Sequence, residues 1–120
     1  MRAVHFYRTQ SDDCPVEEFL DALSGKQAQK VVWVLRLVEQ LDPVPAQYLK
    51  KLVDTDGLWE VRAQHGGDIF RLLGFFDGSK FLVVSGFAKK TEKIPRQELD
   101  VAEARRQDYL SRRKEDERPN

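Results

Sequence analysis

The strongest constraint on this chain is a change of period. Between Pro15 and Leu41 the apolar residues recur at helical spacing, whereas after Asp54-Thr55-Asp56-Gly57 they alternate with a period of two. Leu58 to Gln64, Ile69 to Phe76 and Lys80 to Phe87 therefore read as three strands. The connectors His65-Gly66-Gly67-Asp68 and Asp77-Gly78-Ser79 are short and contain glycine. Connections this brief can join only antiparallel neighbours, so the three strands form a meander.

The remaining elements follow from local signals. Ala3 to Arg8 alternates Val4 and Phe6 with His5 and Tyr7, the pattern of a short opening strand. Pro15 begins a helix at the position where a missing N–H is harmless, and Val16, Phe19, Leu20 and Leu23 carry that helix to Leu23. Ser24 and Gln27 form a capping box that starts a second helix, with Ala28, Val31, Val34/Leu35, Val38 and Leu41 as its inward stripe. Asp42-Pro43-Val44-Pro45 ends it, and Pro45 to Leu52 reads as a further turn or two of helix ending in Lys50-Lys51. From Pro95 the chain is helical again, with Leu99, Ala102, Arg106, Tyr109 and Leu110 on one side. At 120 residues and 13.9 kDa the chain fits one core. The expected architecture is α+β: a strand, two helices, a three-strand meander completing a twisted sheet, and a C-terminal helix. Residues 1–112 form the expected domain, and 113–120 a charged tail that frays.

Charge narrows the function. Twenty Lys plus Arg balance twenty Asp plus Glu, which excludes a uniformly basic nucleic-acid coat but not a local patch. The positive excess lies in residues 58–96, and Lys89, Lys90, Lys93 and Arg96 are opposed there only by Glu92. On charge alone a solvated loop is the simpler reading of such a cluster, and its place in the fold is what points further. A single cysteine, Cys14, excludes an internal disulfide and a cysteine-rich zinc cage; it reads as a small residue where the first helix begins. Met1 to Asp13 has no signal-like apolar stretch and no run is long enough to span a bilayer, so the expected location is the cytoplasm, with no membrane partner. Trp33 lies outside the helical stripe and marks either a partner surface or an edge of the core, whereas Trp59 reads as core.

The meander also sets a register. If residues 65–68 form a four-residue loop, Gln64 faces Ile69 and Arg62 stands opposite Arg71; if Asp77-Gly78 is the next turn, Phe76 faces Ser79 and Arg71 faces Val84. One sheet face then carries Trp59, Val61, Ala63, Phe70, Leu72, Phe76, Phe81, Val83 and Phe87, and the other is mixed, with both arginines near its centre. Like charges directly opposite are destabilising and need compensation. Glu60 or another carboxylate can bridge them; alternatively the pair is built for an external anion, most naturally a phosphate matched by guanidinium forks. Lys89 and Lys90 follow the third strand and can close on the same face. Such a basic pocket needs neither metal nor cofactor.

The order of elements resembles the toxins of the RelE/ParE superfamily, and the wording resembles their HigB-like, phage-derived branch. The resemblance is carried by Gly57-Leu58-Trp59-Glu60-Val61-Arg62, Ile69-Phe70-Arg71 and Gly86-Phe87-Ala88-Lys89-Lys90-Thr91. Pro15-Val16 with Phe19-Leu20, and Ile94-Pro95 before a charged helix, extend it over roughly residues 3–112. It implies the toxin of a type II toxin–antitoxin module: a ribosome-dependent, metal-independent mRNA endoribonuclease that uses the RNA 2′-hydroxyl as nucleophile. It further implies a helix-turn-helix antitoxin as partner, with the ribosome and mRNA as targets. By similarity Arg71 contacts the scissile phosphate, Arg62 is a basic position on the preceding strand, and Lys89 and Lys90 are the basic residues after the last strand. Lys50, Lys51, Lys93, Arg96 and His65 are the expected RNA and ribosome contacts. Many relatives carry a tyrosine or histidine near the C-terminus; Lys93 to Arg96 contains neither, and Tyr109 lies well down the helix. Two alternatives share the fold: a non-enzymatic, ParE-like poison of DNA gyrase, and an inactive relative that only binds its antitoxin.

Overall fold

A computed structural model describes residues 2–88 and 93–117, with side chains as far as Lys114. The chain runs β1 (Ala3–Phe6), α1 (Pro15–Asp21), α2 (Gly25–Gln40), β2 (Leu49–Lys51), β3 (Trp59–His65), β4 (Asp68–Asp77), β5 (Lys80–Ala88) and α3 (Arg96–Glu117). One five-stranded sheet has the order β1-β5-β4-β3-β2, with β1 parallel to β5 and the other pairs antiparallel. This is the α+β architecture expected from the sequence.

Local chemistry places most boundaries. Pro15 opens α1 behind the buried Cys14. The Ser24 hydroxyl accepts from the Gln27 N–H while the Gln27 side chain accepts from the Ser24 N–H, so both halves of the capping box form. Val31, Val34, Leu35 and Val38 are buried as the stripe requires, but Leu41 lies beyond the last turn and is exposed. Residues 45–52 depart from expectation. A single turn, with the Tyr48 and Leu49 N–H groups donating to the Pro45 carbonyl, gives way to strand β2, which carries Lys50 and Lys51. The unpaired edge of β3 supplies backbone partners there, and these outweigh continuation of so short a helix.

The sheet is covered on both faces. Val61, Ala63, Phe70, Leu72, Phe81 and Val83 pack with the inward residues of α1 and α2. On the opposite face Leu73, Phe75, Leu82, Val84 and Phe87 pack with Tyr7, Leu58 and Ala102, and Leu99, Tyr109 and Leu110 join them from α3. The second face is therefore a second core. Both sides of β4 and β5 must be apolar to serve the two layers.

The register of β3 with β4 is as predicted: Gln64 opposes Ile69 and Arg62 opposes Arg71. The turn between them is shorter than expected, because His65 pairs with Asp68 and only Gly66-Gly67 remain as the loop. Gly66 takes a positive φ of 62°, which glycine adopts without steric cost. The β4–β5 register differs from the prediction. The turn is Gly78-Ser79, so Phe76 faces Phe81 rather than Ser79, and a bulge shifts the pairing between Leu73 and Gly74. Leu73 pairs with Ser85 and Gly74 with Val83, leaving Val84 as the extra residue. Arg71 consequently opposes Phe87, not Val84, and Phe87 joins the α3-side core instead of the helix-pair side.

Two glycines make these packings feasible. A Cβ at Gly74 would lie 2.3 Å from the Leu82 carbonyl oxygen, beside the bulge. A Cβ at Gly86 would lie 2.5 Å from the Phe19 ring, which holds α1 against β5.

Candidate functional site

The site is best built from the two facing arginines. Side chains alternate along a strand, so Glu60 and Arg62 on β3 share the face of Arg71 on β4. Arg71 is completely buried, and its Nε stands 3.5 Å from Oε2 of Glu60, itself only 8% exposed. Of the two compensations open to the sequence, the carboxylate is thus realised for Arg71. A charge in a dry interior requires such a partner, since losing it would strand an ion without water or counter-charge.

Arg62 has a different setting. It is half-buried, and its backbone N–H donates to the Tyr48 carbonyl at 2.9 Å, extending the β2–β3 ladder by one step. Its side chain lines a groove of about 300 Å³ at the edge of the sheet with Lys30, Gln47, Tyr48 and Gln64. Trp33 flanks this groove: its ring meets Tyr48 edge-on at 5.8 Å between centroids, and the Lys30 ammonium sits 4.3 Å from the Trp33 centroid. At 45% exposure, Trp33 lies on the surface, in contact with Tyr48, which packs against the core.

The other expected contacts are spread over β2, the end of β3 and around the start of α3. Lys50 and Lys51 are exposed on β2, with Lys50 opposite Glu60, and His65 is exposed at the end of β3. Lys93 is exposed. Arg96 pairs with Asp100 at 3.1 Å, and it lines a cavity of about 160 Å³ shared with Asp54, Asp56, Asp100 and Glu103. Those carboxylates make that cavity unsuited to an anion. Lys89 and Lys90 lie outside the described residues. Among the described residues no three His, Cys, Asp or Glu side chains gather as a metal site, and no helix is long and apolar enough to cross a membrane.

Helix α3 is fixed over the second core by polar contacts that the sequence did not reveal. The Tyr7 hydroxyl donates to Asp108, which also receives Arg112. The hydrogen bond from Tyr7, with the one from Arg112, holds the Asp108 carboxyl below the usual carboxylate range against the opposing effect of burial. Burial and the neighbouring Asp108 push the Tyr7 phenol up. Asp77 receives Tyr109 at 2.9 Å and also Arg113; although burial works to raise its carboxyl, these hydrogen bonds lower it. Arg105 donates to the Val84 carbonyl at 2.8 Å. The helix therefore continues beyond residue 112, with Arg113 tied to Asp77.

Two helices on one face of a five-stranded mixed sheet, with a third helix on the other, are compatible with a RelE-like single domain. Residues 18–107, about three quarters of the chain, match the family model described as "Phage derived protein Gp49-like (DUF891)". The chain belongs to this Gp49-like phage-derived family, a family of RelE/HigB-like toxins. None of the curated proteins matches it.

Proposed function

We propose that the chain is the toxin of a type II toxin–antitoxin module and cleaves mRNA in the decoding site of the ribosome. The observation that carries this reading is the direct opposition of Arg62 and Arg71 within a chain of this family. A guanidinium fork matches the non-bridging oxygens of a phosphodiester and the charge that grows on them, and Arg62 stands at the surface with Arg71 one strand behind it. The RNA 2′-oxygen attacks phosphorus and gives up its proton, the bond to the 5′-oxygen breaks, and that oxygen takes a proton. The products are a 2′,3′-cyclic phosphate and a 5′-hydroxyl. No metal enters this scheme. Lys89 and Lys90, by family resemblance, neutralise the attacking oxygen or protonate the leaving one. Lys50, Lys51, Lys93, Arg96 and His65 serve as RNA and ribosome contacts, which makes affinity salt-dependent. A helix-turn-helix antitoxin holds the toxin inactive in the cytoplasm. In this scheme Arg71 exchanges the Glu60 carboxylate for the RNA phosphate.

The burial of Arg71 against Glu60 favours a second reading, in which the pair is structural and the toxin acts by binding alone. A ParE-like gyrase poison and an inactive antitoxin-binding relative both belong to it. Inducing the chain without its antitoxin separates the three. Growth arrest with new mRNA ends supports cleavage, arrest with double-strand DNA breaks supports the poison, and undisturbed growth supports the inactive relative.

A further inference from the structure

We infer that the groove at the β2–β3 edge, which shares Arg62 with the pair proposed to grip the scissile phosphate, is a binding site for single-stranded RNA. Its lining is Lys30 from α2, Gln47 and Tyr48 before β2, and Arg62 and Gln64 from β3. Among the described residues that set holds two cations, two amides and a phenol and no carboxylate. The contrast with the acid-lined cavity around Arg96 is chemical: one concavity suits an anion and the other does not. An acidic peptide would match the positive charge as well, but it has no use for the rest of the surface. Trp33 and Tyr48 present aromatic rings next to the cations, and an exposed tryptophan beside basic residues is a platform for an unpaired base. The Lys30 ammonium already occupies a cation–π position on Trp33, where it can meet a phosphate flanking a base stacked on the same platform. Gln47 and Gln64 carry the donors and acceptors that base edges require. A duplex, whose bases are stacked inward, offers none of these to the groove.

The choice of RNA over DNA rests on the reading proposed above; the groove's fit to a single strand does not. The test is fluorescence anisotropy with the full chain and a labelled ten-nucleotide RNA carrying 2′-O-methyl groups throughout, which blocks cleavage through the 2′-oxygen. A DNA strand of the same sequence and an RNA duplex are run beside it. Trp33→Ala should weaken single-strand binding about tenfold, within the range of one lost base–aromatic stack. Lys30→Gln should reduce the slope of log affinity against log salt by about 0.7, the value for one phosphate contact on a single strand. Lys80→Gln, at the β4–β5 turn, should leave both readouts unchanged. Because Trp33 and Lys30 lie on the outer side of α2, circular dichroism should show both variants folded. Unchanged affinity in Trp33→Ala and Lys30→Gln, or tighter binding to the duplex, would overturn the groove assignment. Equal binding to the DNA strand would leave the groove standing and remove the preference for RNA. A chain that binds the blocked RNA through the groove yet cuts no message would fail the nuclease reading alone.

Discussion

Arg71 shows why identity and environment must be considered together. Its guanidinium lies in the interior, 3.5 Å from one carboxylate, and that carboxylate is nearly as deeply enclosed. Glu60→Gln keeps the shape but removes the counter-charge, and a broken buried pair costs about 3 kcal/mol. A clear fall in the urea midpoint with little change in slope is the expected result. Replacing both partners, as in Glu60→Leu with Arg71→Met, removes the charges together and should recover most of that loss. The double variant is also the clean probe of function, since Arg71→Ala alone strands Glu60 and confounds activity with folding. A folded double variant that still arrests growth would assign Arg71 a structural role. The facing of Arg62 and Arg71 was legible in the sequence because loop length fixes strand register. Which of the two would be buried was not, since that depends on the layer laid over them by residues remote in sequence.

At the scale of elements, helix packing depends on a few contacts. Phe19 rests where Gly86 has no side chain, so Gly86→Ala forces α1 away from β5 or the ring out of its rotamer. Overpacking of this kind costs about 1–3 kcal/mol and should appear as a lowered melting temperature. Helix α3 depends instead on ionisation. The Asp77 and Asp108 carboxyls have lower pKa values folded than unfolded, so their contribution is complete above the unfolded value, about 4. It is lost as pH falls through the folded values. The Tyr7 phenol is shifted the other way, so its contribution holds below about 10 and disappears as pH rises through its folded value. Amide hydrogen exchange in α3, corrected for intrinsic rates, should therefore show loss of protection below pH 4 while the β4–β5 core persists. Tyr109→Phe should weaken α3 at neutral pH by about 1 kcal/mol, the worth of one hydrogen bond. The polar anchors escaped sequence reading because Tyr7 and Asp108 are 101 positions apart. The capping box of α2 was readable because its two residues are three apart. The bulge escaped for a related reason: an extra residue at Val84 leaves no mark on the local alternation, yet it turns Phe87 to the other layer.

For the whole molecule, the order strand, helix pair, meander and helix was readable because each element carries its own period or cap. The depth of the second core was not, because a mixed face with two arginines resembles an open one until α3 is placed on it. That cover divides the expected cationic surface. Arg71 goes inside, Arg62 joins Lys30 at the sheet edge, and Arg96 falls among carboxylates. A clue to the edge groove was already present, since Lys30 and Trp33 are one helical turn apart and both lie off the apolar stripe. Cutting of mRNA through the 2′-hydroxyl leaves its mark on the chemistry of the cut ends. With purified chain added to a translating extract, message fragments should end in 2′,3′-cyclic phosphate and begin with 5′-hydroxyl, and should be absent for Arg62→Gln. Intact message in an extract whose translation has nonetheless stopped, or fragments beginning with 5′-phosphate, would contradict it.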